Sequence, residues 1–391
     1  MNTTNSGKWP LHEADEIEAV QRVLASGRVN YWNGDEGRAF EREFADYCGM
    51  PYGLAVANGT LALELALNAL GIGAGDEVVV TPRSFIASVA CVVNVGAWPV
   101  FADVDPDSQN ITPESVRAVL SPRTRAVLPV HLAGWPCDMD GFRELAEQHQ
   151  LYLIEDCAQA HGAAWCGQRV GSFGDAATFS FCTDKIMSTG GEGGMLLLHD
   201  EAAWNRAWSR RDHGKAWDAV YERDHPPGFR WQHHSFGTNA RMTEMQAAIG
   251  RVQLGKLDGW LECRRRNAAL LEEILGPVEA LHVSRPAAHE EHARYRFYFF
   301  VRPERLQAGQ DRDAVMSALQ AEGVPCAQGS CPEVYREAAF RDTDMAPAKR
   351  LPVARQLAET VLALPVHHTL DADEVRAMGE RVATTVRAAS I

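Results

Sequence analysis

From about residue 50 the chain alternates short, continuous apolar runs with stretches whose apolar residues recur at helical spacing. Residues 54–57, 77–81, 100–104, 126–130 and 151–155 read as strands, and 59–70, 85–95 and 139–148 as the helices between them. Pro82 stops the second strand, and Thr112-Pro113-Glu114 reads as a helix start, with Thr as the cap and Pro in the first turn. Strands that are apolar throughout and separated by helices predict a mostly parallel sheet covered on both faces. Beyond residue 240 the texture changes. Residues 242–266 read as one long helix broken near Gly255 or Gly259, 295–301 as an aromatic alternating strand, and 312–322 and 372–388 as helices. The expected fold class is therefore α/β, with a large domain over residues 1–255 and a smaller α+β domain over 256–391.

Ligands in such sheets bind beyond the carboxyl ends of the strands. The residues to watch are thus Asn58-Gly59-Thr60, Arg83-Ser84-Phe85, His131 and Asp156. A length of 391 residues suffices for a large core without staples, and 46% hydrophobic with 23% charged residues is ordinary for a folded protein. The net charge of −14 argues against bulk binding to nucleic acid or an anionic membrane, yet leaves room for a small anion at a local positive site. Nine scattered cysteines without a C-x-x-C pair suggest reduced thiols and no compact metal site. The N-terminal stretch lacks the apolar segment of a signal peptide. Residues 84–102 carry no charge, but Asn94, Gly96 and Pro99 interrupt them, so they read as a buried helix and strand and not as a membrane span. Together these features lead us to expect a soluble, cytoplasmic protein.

Four segments carry chemistry. In Phe179-Ser-Phe-Cys-Thr-Asp-Lys185-Ile-Met-Ser-Thr-Gly-Gly-Glu-Gly-Gly194 a lone lysine stands between a short apolar strand and a glycine-rich loop, a setting for a Schiff-base nucleophile or for an ordinary surface lysine. Asp156 ends a buried strand, where it either pairs with a ring nitrogen or caps the following helix. Gln159 would face the same site, and Glu155 the opposite side of the strand. Asn58-Gly59-Thr60 opens a helix and could seat a phosphate, to which Ser180 could add a hydroxyl. Phe85 could stack on an aromatic ligand or belong to the core. The ligand that fits all four is pyridoxal 5′-phosphate, whose usual protein kit is a Schiff-base lysine with an aspartate on the pyridine nitrogen.

With these motifs on view the sequence resembles the DegT-like sugar aminotransferases, which belong to the fold-type I, aspartate aminotransferase-like enzymes. The matching stretches include Asn58-Gly-Thr-Leu-Ala-Leu, Glu155-Asp-Cys-Ala-Gln-Ala-His-Gly, the Lys185 segment and Gly237-Thr-Asn-Ala-Arg-Met-Thr-Glu-Met-Gln-Ala-Ala-Ile-Gly250. The resemblance makes Lys185 the Schiff-base lysine and Asp156 the partner of the pyridine nitrogen. It puts Gln159 near the ring hydroxyl, Phe85 on the ring, and Gly59, Thr60 and Ser180 on the phosphate. Asn239 matches an asparagine that reaches the phosphate from a neighbouring subunit, so the resemblance also implies a homodimer with shared sites. The implied reaction moves an amino group from L-glutamate to a nucleotide-linked 3- or 4-keto sugar, for amino-sugar, polysaccharide or antibiotic-sugar assembly. Tyr31, Trp32, His213, Arg241 and His367, with Arg28, Arg210, Arg211 and Lys215, are the candidates along the substrate path. Two positions depart from the family pattern: Asp184 directly before the lysine, and Asn58 where Ser is common. The alternatives are a keto-cyclitol or other non-nucleotide ketone as acceptor, a dehydratase, whose relatives carry His in place of the lysine, and a non-catalytic sensory protein.

Overall fold

The apolar runs of the first half pair into one seven-stranded sheet in a computed structural model that describes residues 9–391. The first eight residues, part of the N-terminal stretch read for a leader and of the expected large domain, lie outside the described residues. The strands are β1 (Tyr52–Val56), β2 (Glu77–Val80), β3 (Trp98–Phe101), β4 (Thr124–Leu128), β5 (Tyr152–Asp156), β6 (Ala176–Ser180) and β7 (Gly194–Leu198). They lie in the order β1-β7-β6-β5-β4-β2-β3. Strand β7 is antiparallel to both neighbours, and β2 to β6 are parallel. The strands expected at 100–104 and 126–130 start two residues earlier, because Trp98 and Thr124 already pair with Glu77 of β2. Apolarity marks where a strand is buried, whereas its extent is set by backbone pairing.

Helices α1 (Ala14–Ser26), α2 (Glu36–Cys48), α3 (Gly59–Ala69), α4 (Ala87–Asn94), α5 (Met139–His149) and α6 (Glu201–Arg211) surround this sheet. The uncharged stretch 84–102 becomes α4 and β3, with Val89, Cys91 and Val92 fully buried. No helix among the described residues is long and apolar enough to cross a membrane. Thr112 caps a short helix, Pro113–Arg117, as its sequence predicts. All nine cysteines are unpaired.

Helix α7 (Glu244–Leu275) corrects one expectation. It runs for 32 residues with no break at Gly255 or Gly259, starting from a reciprocal Thr243–Gln246 capping box. Two glycines cost a helix about 1 kcal/mol each. Burial of Ala247, Leu257, Leu261, Ala268, Leu271 and Leu275 along one face outweighs that. The first half of α7 packs on α1 and α2, its second half on α9 (Ala372–Ala388). Beyond it, β8 (Leu281–His282), β9 (Phe297–Val301) and β10 (Val361–Leu364) form an antiparallel sheet, covered by α8 (Arg312–Ala321) and α9. A cut at 255/256 falls inside α7, and we propose that the two expected units share this helix.

Candidate active site

The chemistry-bearing residues gather where β5 and β6 end and α3 begins. Side chains alternate along β5, and the last two diverge. Glu155 accepts the amides of Gly171, Phe173 and Gly174 and pairs with His131 at 3.1 Å, so both are absorbed in holding a loop. Asp156 turns the other way. Its Oδ2 accepts from the Ser88 hydroxyl at 2.7 Å and its Oδ1 from the Ala158 amide at 3.1 Å. It is 3% exposed, and burial holds its pKa above the usual carboxylate range, although Ser88, Ala158 and the charge of Lys185 pull the other way. A carboxylate in that state is stabilised by a cationic N–H placed against it.

Lys185 sits in the loop between Ser180, the last residue of β6, and Gly194, the first of β7. Its Nζ lies 3.6 Å from Asp184 Oδ1 and 5.2 Å from the centre of the Tyr295 ring. Tyr295 in turn donates its hydroxyl to Asp184 Oδ2 at 2.5 Å. Burial opposes the charge on Lys185, yet Tyr295, Asp184, Cys182 and Asp156 together carry its pKa above that of an ordinary lysine. The unusual Asp184 is therefore a built partner of the amine, oriented by Tyr295.

The start of α3 is an open anion seat. Asn58 caps the helix, its Oδ1 accepting from Leu61 N at 3.0 Å and its carbonyl from Ala62 N at 3.2 Å. Among the described residues the amides of Gly59 and Thr60 have no partner, as expected for the first turn of a helix. Two glycines let neighbouring chain segments close around this seat. A Cβ on Gly59 would stand 2.8 Å from Ser180 Cβ, and one on Gly194 would stand 2.6 Å from the carbonyl of Asn58. Free amides and a hydroxyl at one helix start, with a buried acid at the end of a nearby strand, fit the chemistry of a phosphorylated pyridine. Gly194→Ala should push β7 from the helix end and weaken cofactor retention by about ten- to hundred-fold, measured by absorbance after dialysis.

The other candidates are scattered by the fold. Gln159 lies at the site, accepting from Ala133 N at 2.8 Å and donating to Ser330 at 3.4 Å. Phe85 presents a half-exposed ring beyond β2. His367 is buried beside Tyr295 and Asp184, bonded to Thr369. Tyr31 is 2% exposed and donates to Glu41, which also takes Arg211 at 2.6 Å. Arg241 and Lys215 both pair with Asp212, and Lys215 lies over Trp32. Arg28 pairs weakly with exposed Asp35. His213, Arg210 and Asn239 are exposed. Sequence reading missed Ser88, Tyr295 and Ser330. Ser84 and Ser88 stand one helical turn apart in an otherwise apolar segment and bond at 2.8 Å, a readable signal. Tyr295 and Ser330 come from the second unit and gave none.

The mostly parallel sheet, with these groups collected at one edge, has the fold-type I architecture of pyridoxal phosphate-dependent transferases. The chain belongs to the DegT/DnrJ/EryC1/StrS aminotransferase family, which matches residues 10–383. It is 39% identical to a UDP-N-acetyl-3-dehydro-alpha-D-glucosamine 3-aminotransferase from Acidithiobacillus ferrooxidans, covering 90% of this chain and 88% of that one. Identity is 41% to an L-glutamine:2-deoxy-scyllo-inosose aminotransferase from Streptomyces fradiae, covering 80% and 75%. The crystal structure of an aminotransferase from Psychrobacter cryohalolentis superposes with a TM-score of 0.95 at 51% identity, covering 97% and 98%. The protein is an aminotransferase of sugar or antibiotic biosynthesis.

Proposed function

We propose that the protein transfers an amino group from L-glutamate to the ketone of a nucleotide-linked 3- or 4-keto sugar. The observation that carries this reading is Asp156, a buried acid with a raised pKa that feels the charge of Lys185. The named substrate of the Acidithiobacillus relative supports a sugar acceptor and favours the 3-position. The name of the Streptomyces relative favours a second reading, a keto-cyclitol acceptor with L-glutamine as donor.

Bound pyridoxal phosphate supplies an electron sink and a carrier for the amino group. The amides of Gly59 and Thr60 and the hydroxyl of Ser180 would hold its phosphate. Asp156 would keep a proton on the ring nitrogen, with Gln159 and Phe85 as the groups to meet the ring. Lys185 would anchor the cofactor through Nζ, and the same amine is placed to take up and return a proton as general base and acid. Donor and acceptor use the same site in turn, which gives ping-pong kinetics. The test is a panel of nucleotide-linked keto sugars and keto-cyclitols with glutamate or glutamine, read by mass spectrometry. One aminated nucleotide sugar supports the first reading. A colourless protein that takes up no pyridoxal phosphate and aminates nothing supports the sensory alternative.

The reading includes a homodimer with shared sites in the cytoplasm, a location the unpaired thiols support. Exposed Asn239 lies on a segment that also leaves Phe229, Trp231 and Phe236 77%, 82% and 97% exposed, an apolar surface suited to a second copy. Mixing Asn239→Ala with Lys185→Ala protein should restore part of the activity in hybrid dimers. Hybrids that form without activity would refute shared sites.

A further inference from the structure

Beside the lysine loop a small pocket of about 60 Å³ opens between the N-terminal segment, α7 and the start of β9, lined by Trp9, Asp184, Arg264, Tyr295, Arg296 and His367 among others. Its charge is unbalanced. Arg264, on α7, is 1% exposed; among the described residues it donates only to the carbonyls of Arg294 and Tyr295 at 3.3 and 3.4 Å, and its Nε has no partner. Arg296 enters from the adjoining strand, its guanidinium 5.2 Å from the Tyr295 ring centre. Neither guanidinium pairs with a carboxylate among the described residues. The acid in the pocket wall, Asp184, has Oδ2 bonded to Tyr295 and Oδ1 facing Lys185, and shares its charge with Arg296 but not with Arg264. Burial, together with the charge of Arg296, pulls the Arg264 pKa down to about 9. Tyr295 and Asp184 favour the charge of partly exposed Arg296, whereas buried Arg264 has no such acid, and an anion entering beside it removes the cost of that buried charge.

The pocket has room for several waters, and so for a carboxylate. Asp184 and Tyr295 wall this pocket and also lie against the Lys185 amine, so a carboxylate seated here stands close to the lysine loop. Trp9, whose Nε1 donates to the Lys185 carbonyl at 3.2 Å, closes the outer side. We propose that Arg264 and Arg296 form the subsite for a carboxylate of the amino-acid donor. The inference rests on the transamination reading above and adds the residues that select the donor.

Glutarate, a dicarboxylate without an amine, is the probe. Calorimetry on the cofactor-loaded enzyme compares wild type with Arg296→Gln, a partly exposed position that can lose its charge without disturbing the core, and with Arg264→Met. Both variants should bind glutarate about ten- to hundred-fold more weakly, as expected for a lost charge-assisted hydrogen bond. In single half-reactions KM for the donor should rise by a similar factor, while the acceptor half-reaction stays within about twofold of wild type. Unchanged glutarate binding in Arg296→Gln overturns the proposal, and so does a loss confined to the acceptor half-reaction, which would make the pocket a sugar-nucleotide contact. If wild type aminates no ketone at all, the functional reading fails, while glutarate binding still decides the pocket.

Discussion

Lys185→Ala is expected to abolish turnover and to leave the fold standing. The amine carries two tasks, covalent attachment of the cofactor and proton transfer at the reacting carbon, and a positioned acid–base group alone contributes about 10²- to 10⁴-fold. With both removed, a loss of at least about 10³-fold is the minimum result. The fold survives because the surroundings of the lysine hold without it: Tyr295 still bonds Asp184, and Trp9 contacts the backbone carbonyl of residue 185, not its side chain. Borohydride should fix the cofactor to the Lys185 peptide of wild type and to no peptide of the variant, with melting curves alike. Retained turnover would remove Lys185 from its role.

Asp156→Asn should slow both half-reactions by about 10²- to 10³-fold, the usual loss when a preorganised electrostatic partner is removed. The isosteric amide can still meet Ser88 and the Ala158 amide, so the loop geometry is kept, while the negative charge that holds a proton on the ring nitrogen is gone. Stability should move the other way. A carboxyl whose folded pKa is raised by burial costs stability once ionised, and that cost fades as pH falls through its folded pKa. The cofactor-free variant should therefore melt at or above wild type at neutral pH, with the gap closing in acid. Equal rates in wild type and variant would detach Asp156 from catalysis.

What the sequence could show was local. Asp156 at the end of an apolar run and Lys185 before a glycine loop each declare themselves within a dozen residues, and the cap at Asn58 within four. What it could not show were partners brought in by the fold. Arg211 and Arg241 read as anion-handling groups, yet Glu41, 170 residues from Arg211, and Asp212 claim them. Conversely Arg264 and Arg296 sit in segments that read as a helix and a strand, and only packing shows that they line one pocket. The misplaced strand ends have a similar origin, since backbone pairing is blind to side-chain polarity. The break expected in α7 failed because helix propensity is weak beside tertiary burial.

Helix α7 has a mechanical consequence. At 1.5 Å of rise per residue its 32 residues make a rod about 48 Å long, embedded at one end under the first sheet and at the other under the second. A rod packed against both sheets couples them mechanically, as a soft tether would not. Heating should therefore dismantle both halves in a single calorimetric transition.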